Sequence, residues 1–207
     1  MGLCKEGIQQ AKEASEVFKQ LSNTAGQTQR LLKLTWLFTY DKQPDTAEEA
    51  ALHAINLFSE KNQQFDISQC HRALGNIYGS KGETEKAIHH FEAALEIASS
   101  PNRLDELFWT RYSLAWLFSS QGKLDDAHVH IEQAKLHAVD HHDTFFLARA
   151  MALQAGFWHR QHRFEEAKSE ALRAIEAFEK LGAVNDAKYA GTLLQRVDRD
   201  ARANGHL

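Results

Sequence analysis

Twelve histidines stand among the 207 residues, and imidazole is both a common metal ligand and a proton carrier near neutral pH. They fall into clusters: His89-His90, His128 with His130, His141-His142-Asp143, and His159 with His162. On a helix, neighbours one or two apart point to different sides, so the first two pairs cannot chelate one ion by themselves. His159 and His162, like His137 and His141, have the three- or four-residue spacing that lets two side chains share an ion. Neither pair carries an HExxH pattern or a cysteine partner, so the expectation is no metal and no cofactor. The histidines do imply pH sensitivity: protonating all twelve moves the formal charge from −4 to +8, around an unperturbed pKa of ~6.5. Cys70 lies beside His71, but adjacent helical side chains diverge, which argues against a Cys–His nucleophile. No GxSxG elbow and no GxxxxGK[ST] phosphate loop occurs. Carboxylates such as Glu83, Glu85, Asp125 and Asp126 stand in helix-start and solvated-face patterns. The expectation is a protein without catalytic chemistry.

Composition narrows the class further. Apolar residues at 43% and charged residues at 25% are ordinary for a globular chain and argue against disorder. Two prolines and eleven glycines cannot supply a turn every ~8–12 residues, as an all-β fold requires. No apolar run approaches the ~18 residues of a membrane span, two cysteines cannot build a disulfide framework, and a net charge of −4 disfavours nucleic acid. An all-α, cytoplasmic protein with no membrane and no nucleic-acid partner is expected.

The elements that position these side chains are read from internal repetition. Ala47, Ala87, Ala127 and Ala167 stand 40 residues apart, and so do Ala54, Ala94, Ala134 and Ala174. Ala51, Phe91, Ile131 and Ala171 make a third column, and Phe38, Tyr78, Phe118 and Trp158 an aromatic one that is read as core. Leu34, Leu74 and Leu114 form a fifth, broken by Gln154. Between aromatic and alanine lies a breaker: Gln43-Pro44-Asp45, Lys81-Gly82-Glu83, Gln121-Gly122-Lys123 and His162-Arg163. Asp45 is placed as the N-cap of the helix that follows. Each copy is therefore two amphipathic helices and a tight turn. First helices are predicted at 27–41, 66–81, 104–121 and 144–161, and second helices at 45–61, 84–99, 124–139 and 164–180. Residues 3–21 align with second helices, and 184–203 begin like a first helix before turning heavily charged, as a capping helix does.

The stretch RALGNIYGSKGETEKAIHHFEAALEIASSP, with Leu74, Gly75, Tyr78, Ala87, Phe91 and Ala94 at signature spacing, resembles a tetratricopeptide repeat. Leu114, Ala115, Phe118, Ala127, Ile131 and Ala134 repeat the pattern, while Thr35 and Gln154 depart from it. The resemblance covers roughly 28–187 and implies a right-handed α-solenoid of antiparallel helix pairs, about ten helices in all. The 40-residue period exceeds the common ~34, which points to longer helices and a longer turn between repeats. Forty-residue repeats of this texture are similar to the carboxy-terminal arrays of fungal NACHT/STAND (NLR-like) proteins. The organisation expected is one domain over 1–207: a half repeat at 3–21, full repeats at 28–67, 68–107, 108–147 and 148–187, and a cap at 188–207.

In such solenoids the first helices line the concave face, and the 3.6-residue period says which of their side chains leave the core. Those positions are Gln29, Leu32, Trp36, Thr39 and Tyr40; Gln69, Arg72, Asn76, Gly79 and Ser80; Trp109, Tyr112, Trp116, Ser119 and Ser120; and Arg149, Ala152, Gly156, His159 and Arg160. None is acidic, and Arg196 and Arg199 continue the cationic trend. Aromatics and arginine without carboxylates have the composition of a peptide-binding hot spot. The expected groove is Trp36, Tyr40, Arg72, Asn76, Trp109, Tyr112, Trp116, Arg149, His159 and Arg160, taking a protein or peptide with acidic and apolar anchors. Arginine would grip carboxylates bidentately, and Asn76 would hold the ligand backbone, as the resemblance implies. Two functions follow: a non-enzymatic binding scaffold, in the resemblance the sensor part of a larger receptor-like protein, or a regulator whose superhelix closes around a peptide or small molecule. The half repeat at 3–21 would leave an apolar edge suited to homodimerisation.

Overall fold

The structure is a computed structural model, and it describes residues 33, 35, 44–59, 63–98 and 104–205. Among these residues the regular structure is eight α-helices and no strands: α1 Pro44–Ser59, α2 Gln64–Lys81, α3 Thr84–Ala98, α4 Leu104–Ser120, α5 Leu124–Asp140, α6 Thr144–Arg160, α7 Phe164–Lys180 and α8 Val184–Ala203. The count is eight where about ten are expected from the sequence; the predicted helices at 3–21 and 27–41 lie outside the described residues, apart from helical positions 33 and 35. The chain divides into two compact units, Met1–Thr110 and Arg111–Leu207. In the first, α1 packs on α2 and α2 on α3; in the second, α5 packs on α6, α6 on α7, and α8 on both α6 and α7.

One turn recurs at every described joint between α2 and α8 and explains the regular spacing. Its middle residue has positive φ: Gly82 at 79°, Gly122 at 75°, His142 at 54°, His162 at 58° and Gly182 at 68°. The next residue donates its amide back across the helix end, Glu83 to Tyr78, Lys123 to Phe118, Asp143 to Ala138, Arg163 to Trp158 and Ala183 to Phe178, at 2.8–3.0 Å. This is the Schellman closure, which satisfies carbonyls the helix leaves open. Histidine is among the non-glycine residues that tolerate the left-handed region, which is why His142 and His162 stand in place of glycine. The joints at Gly122 and His162 lie within repeats and those at His142 and Gly182 between them, yet the turn is the same. The extra residues of the 40-residue period therefore sit in the helices, which run to 17 residues in α4 to α7, and the longer turn expected between repeats is not found at these joints. At the first turn of α1, Pro44 is itself the first helical residue, a position where its missing N–H is no loss. Asp45 sits inside that turn and pairs with Lys81 at 2.7 Å instead of capping. The side-chain cap the structure does show is Asp143, which accepts from the Phe146 amide at 2.9 Å.

The alanine columns let the helices close on one another. Ala47, Ala51, Ala54, Ala87, Ala94, Ala127, Ala134, Ala167, Ala171 and Ala174 are all fully buried. Closest approach is at Gly75, where a Cβ would lie 2.6 Å from two ring carbons of Phe91 and 2.8 Å from a third. Volume is traded between the two positions along the array: Gly75 with Phe91, Ala115 with Ile131, Ala155 with Ala171, all buried. The aromatic column is less interior than expected. Tyr78 is buried, but Phe118 and Trp158 are half-buried at the helix ends. Each ring is covered by a histidine and a cation: Tyr78 by His90 and Lys86, Phe118 by His130 and Lys123, Trp158 by His128 and Arg163. Where Gln154 replaces leucine, the second unit holds a buried polar network. The Lys135 ammonium donates to Gln154 Oε1 at 2.7 Å and Glu170 Oε1 at 3.1 Å, and Gln154 Nε2 donates to Glu132. In α8 the buried stripe is Ala190, Val197 and Ala201, and charged residues such as Lys188 and Arg196 face solvent.

Candidate binding face

In the second unit α8 packs on α6 as well as on α7, so the forty-residue columns of the first helices become rows on one face. Trp116, Gly156 and Arg196 are one such column, and Arg149 and Tyr189 stand in another. A side chain at 156 would meet nothing within 4 Å. Glycine there and Ala152 leave a floor between Trp116 and Tyr189, which are 43% and 62% exposed although both are large and aromatic. The resulting cavity, about 370 Å³, is lined by Trp116, Gly156, His159, Arg160, Tyr189, Arg196 and one carboxylate, Asp200, with Phe157, Phe164 and Leu193 as its apolar wall. Beside it, sharing Ala152 and Tyr189, is a second cavity of about 340 Å³ against Tyr112, Arg149, Phe178 and Asp186.

The charges on this face are unequal. The Arg160 guanidinium lies 5.5 Å from the centre of the Trp116 ring and donates to the Ser119 carbonyl at 3.3 Å and to its hydroxyl. It makes no ion pair, and neither does exposed Arg196, among the described residues. His159 Nε2 meets Asp200 Oδ2 at 2.9 Å, and Arg199 and then His159 hold the Asp200 carboxyl below its usual range. Arg149 donates to Asp186 at 2.7 Å and lies over the Phe145 ring. Burial raises the Tyr112 phenol, with Tyr189 adding to the effect, so its hydroxyl stays neutral at physiological pH.

In the first unit Arg72 is engaged internally. Its Nε and Nη2 donate to the two carboxylate oxygens of Glu106 at 2.6 and 3.1 Å, and Glu106 is only 2% exposed. A buried carboxylate needs such a partner, because desolvating an isolated charge is very costly. Asn76 is half-buried on α2, and half-buried Trp109 stands edge-on to Phe108 at 5.3 Å. Trp36 and Tyr40 lie outside the described residues.

Of the residues predicted from the sequence, the structure thus brings Trp116, His159 and Arg160 to one cavity and Tyr112 and Arg149 to its neighbour. The acid-free face foreseen for the first helices does not hold for Arg72, Arg149 and His159, because Glu106, Asp186 and Asp200 reach them from positions 34 to 41 residues on. Sequence reasoning missed Tyr189, Leu193 and Asp186. The signal is present, since 189 and 149 are one column, but the cationic trend alone carries the face into α8 at Arg196 and Arg199 and passes over its aromatic and apolar positions.

Residues 66–135 match the tetratricopeptide repeat family. The solved structure of BtubC (BKLC) from P. vanneervenii superposes with a TM-score of 0.70 at 16% identity, over 99% of this chain and 93% of that one. A Rap protein complexed with Competence and Sporulation Factor gives 0.66 at 14% identity, over 97% of this chain and 61% of the Rap chain. The nearly identical TPR-like repeats of a Podosopora anserina protein assigned as a kinesin light chain give 0.58 at 15% identity, over 87% and 93%. No curated protein matches. The fold is therefore an all-α, TPR-like array of helix pairs.

Proposed function

We propose that the chain is a non-enzymatic scaffold for a protein or peptide, and that the face of α4, α6 and α8 in the second unit is where the partner sits. The observation that carries this is the cavity floored by Gly156 and Ala152, with Trp116 and Tyr189 exposed on its sides, Arg160 and Arg196 in no ion pair among the described residues, and its one carboxylate, Asp200, held by His159 and Arg199. Large aromatics left exposed around a small floor supply rigid contact area, and two uncompensated guanidiniums favour a ligand with carboxylates. A segment with acidic and apolar anchors fits both. Rap proteins of similar fold have been solved with Competence and Sporulation Factor and with the Phr* peptide, which supports a peptide reading for this one.

The wider organisation belongs to the same reading: a right-handed solenoid with repeats at 28–67, 68–107, 108–147 and 148–187, a half repeat at 3–21 and a cap at 188–207, acting in the cytoplasm as the sensor part of a larger receptor-like protein. Displayed-peptide selection on the purified chain tests the site. It is expected to yield sequences pairing Asp or Glu with a bulky apolar residue. Gly156→Leu, which fills the floor, and Trp116→Ala with Arg196→Glu are expected to weaken those peptides at least tenfold; unchanged affinity in both would overturn the assignment. A second reading, a regulator that closes around its ligand, is favoured by the two adjoining cavities, each within the ~300–1,000 Å³ range of small-molecule sites. It predicts a measurable fall in radius of gyration on adding a selected peptide, whereas a static scaffold keeps its dimensions.

A further inference from the structure

We propose that His71 and His90 form a two-nitrogen chelate for a divalent transition-metal ion of tetragonal preference, Cu²⁺ or Ni²⁺. The two residues stand on α2 and α3, and the antiparallel pairing of these helices brings their Nδ1 atoms to 2.9 Å, with ring centroids 5.2 Å apart and planes tilted by 33°. Two imidazole nitrogens so close either share one proton or converge on one cation.

The separation selects among metals. Imidazole nitrogens bind first-row divalent ions at ~2.0–2.1 Å, so neighbouring corners of a square plane lie ~2.9 Å apart, whereas two corners of a tetrahedron lie ~3.3–3.4 Å apart. The observed distance is that of the square edge, so binding would need the rings to turn but not to separate, and tetragonal nitrogen sites belong to Cu²⁺ and Ni²⁺, with Cu²⁺ the tighter in the general affinity order.

Surrounding contacts hold the site in place. Tyr78 stacks on His90 with centroids 5.3 Å apart and planes within 8°, and its hydroxyl donates to Glu48 at 2.7 Å, a carboxylate also held by Lys81 at 2.6 Å. A ligand ring fixed by neighbours in this way loses little freedom on binding. His89 is adjacent and exposed, but it immediately precedes His90 on the same helix and stands edge-on to it at 5.6 Å. Among the described residues no group of three His, Cys, Asp or Glu converges on a metal position, so the described residues supply two of the corners. Two protein ligands imply a modest, exchangeable site.

The test uses the whole chain, titrated with Cu²⁺ and Ni²⁺ salts and with Zn²⁺ for comparison. Calorimetry is expected to show a Cu²⁺ site that weakens at least tenfold in His71→Gln and in His90→Gln but not in His89→Gln. Electron paramagnetic resonance is expected to show tetragonal Cu²⁺ with two nitrogen ligands. Should the substitutions disturb folding, paramagnetic broadening of amide signals in the unaltered chain reads the site directly and is expected to centre on α2 and α3. Broadening centred on the other histidines, or Cu²⁺ affinity undiminished in a folded His71→Gln/His90→Gln chain, refutes the site and leaves the pair as a hydrogen bond between two neutral rings. Zn²⁺ binding more tightly than Cu²⁺ at this pair overturns the tetragonal assignment.

Discussion

Gly75→Ala is the smallest change that probes how the first unit is held together. Alanine is the better helix former by ~0.5–1 kcal/mol, so on propensity alone the substitution stabilises α2. Packing argues the other way. The added methyl would sit 2.6 Å from two ring carbons of Phe91, about 0.9 Å inside the ~3.5 Å at which carbon atoms attract best. Phe91 is 1% exposed, so its ring has no solvent to retreat into and α3 must move. Overpacking of this kind costs ~1–3 kcal/mol, which leaves a net destabilisation of up to ~2.5 kcal/mol after the propensity gain. With a urea slope of ~1–3 kcal/mol per molar, far-UV circular dichroism should show the midpoint falling by several tenths of a molar. The sharper measurement is the cycle with Phe91→Ile. Phe91→Ile alone leaves a cavity and destabilises, yet Gly75→Ala with Phe91→Ile recreates the pair found forty residues on, Ala115 and Ile131, both fully buried. A favourable coupling of ~1 kcal/mol or more is expected, within the range seen for residues in contact. Simple additivity, or a Gly75→Ala chain more stable than its parent, would refute the claim that glycine is there for the phenylalanine.

Lys135→Met is expected to cost ~2–4 kcal/mol, because it strips Gln154 and Glu170 of a shared partner in a largely buried setting; adding Gln154→Leu should recover part of the loss in thermal unfolding, and a neutral single variant would discount the network. Burial, helped by Arg163 beside the first and Arg111 beside the second, holds the His128 and His130 imidazoles below their ordinary pKa, while Gln161, Glu132 and Asp125, and Asp126 at the second, pull the other way. The unfolded chain therefore binds more protons as pH falls below ~6.5, so the stability these neutral rings contribute is present above that value and lost on acidification. Urea midpoints should drop between pH 7.5 and 5.5, less steeply in His128→Gln/His130→Gln, and parallel profiles would contradict this. Burial, with Asp66 and Glu106 nearby, pushes the Cys70 thiol up to about 12; in a Cys4→Ser chain it should resist a disulfide reagent at pH 8 until denaturant is added, and immediate stoichiometric labelling would be the contrary result.

Most of the fold is legible because the forces that set it are local and periodic. A column of alanines every forty residues is a demand for close helix packing, and a glycine at each of three turns marks where the backbone must enter the left-handed region. The helices read from those columns agree with the observed ones to within two residues from α1 to α7. The turns at His142 and His162 are harder to read, since histidine carries no obligatory signal for positive φ. The aromatic column misleads for a related reason. Periodicity says that Phe118 and Trp158 point inward but not that they sit at the helix end, where the other side of the ring is open to His130 and Lys123, or to His128 and Arg163.

The binding face is legible only in part because its electrostatics are settled between helices, not along them. Arg72, Arg149 and His159 are half-buried and Arg160 is exposed, and nothing in the spacing of a single helix distinguishes them further. Their fates differ according to what the next first helix presents. Arg72 meets Glu106 and Arg149 meets Asp186, and these acids stand in one column exactly two repeats apart in number, at 106 and 186. Among the described residues Arg160 finds Ser119 and the Trp116 ring, because its own column runs Ser120, Arg160, Asp200, and Asp200 is already held by His159 and Arg199. A cation left without a carboxylate thus arises where two columns compete for one acid. That competition, together with glycine at 156, is what separates the cavity beside Trp116 from the rest of the first-helix surface. Asp200→Ala, which frees His159 and Arg199, should then extend the preference for acidic ligands across this face, and selection of the same peptides by both chains would show that the acid at 200 has no part in setting that preference.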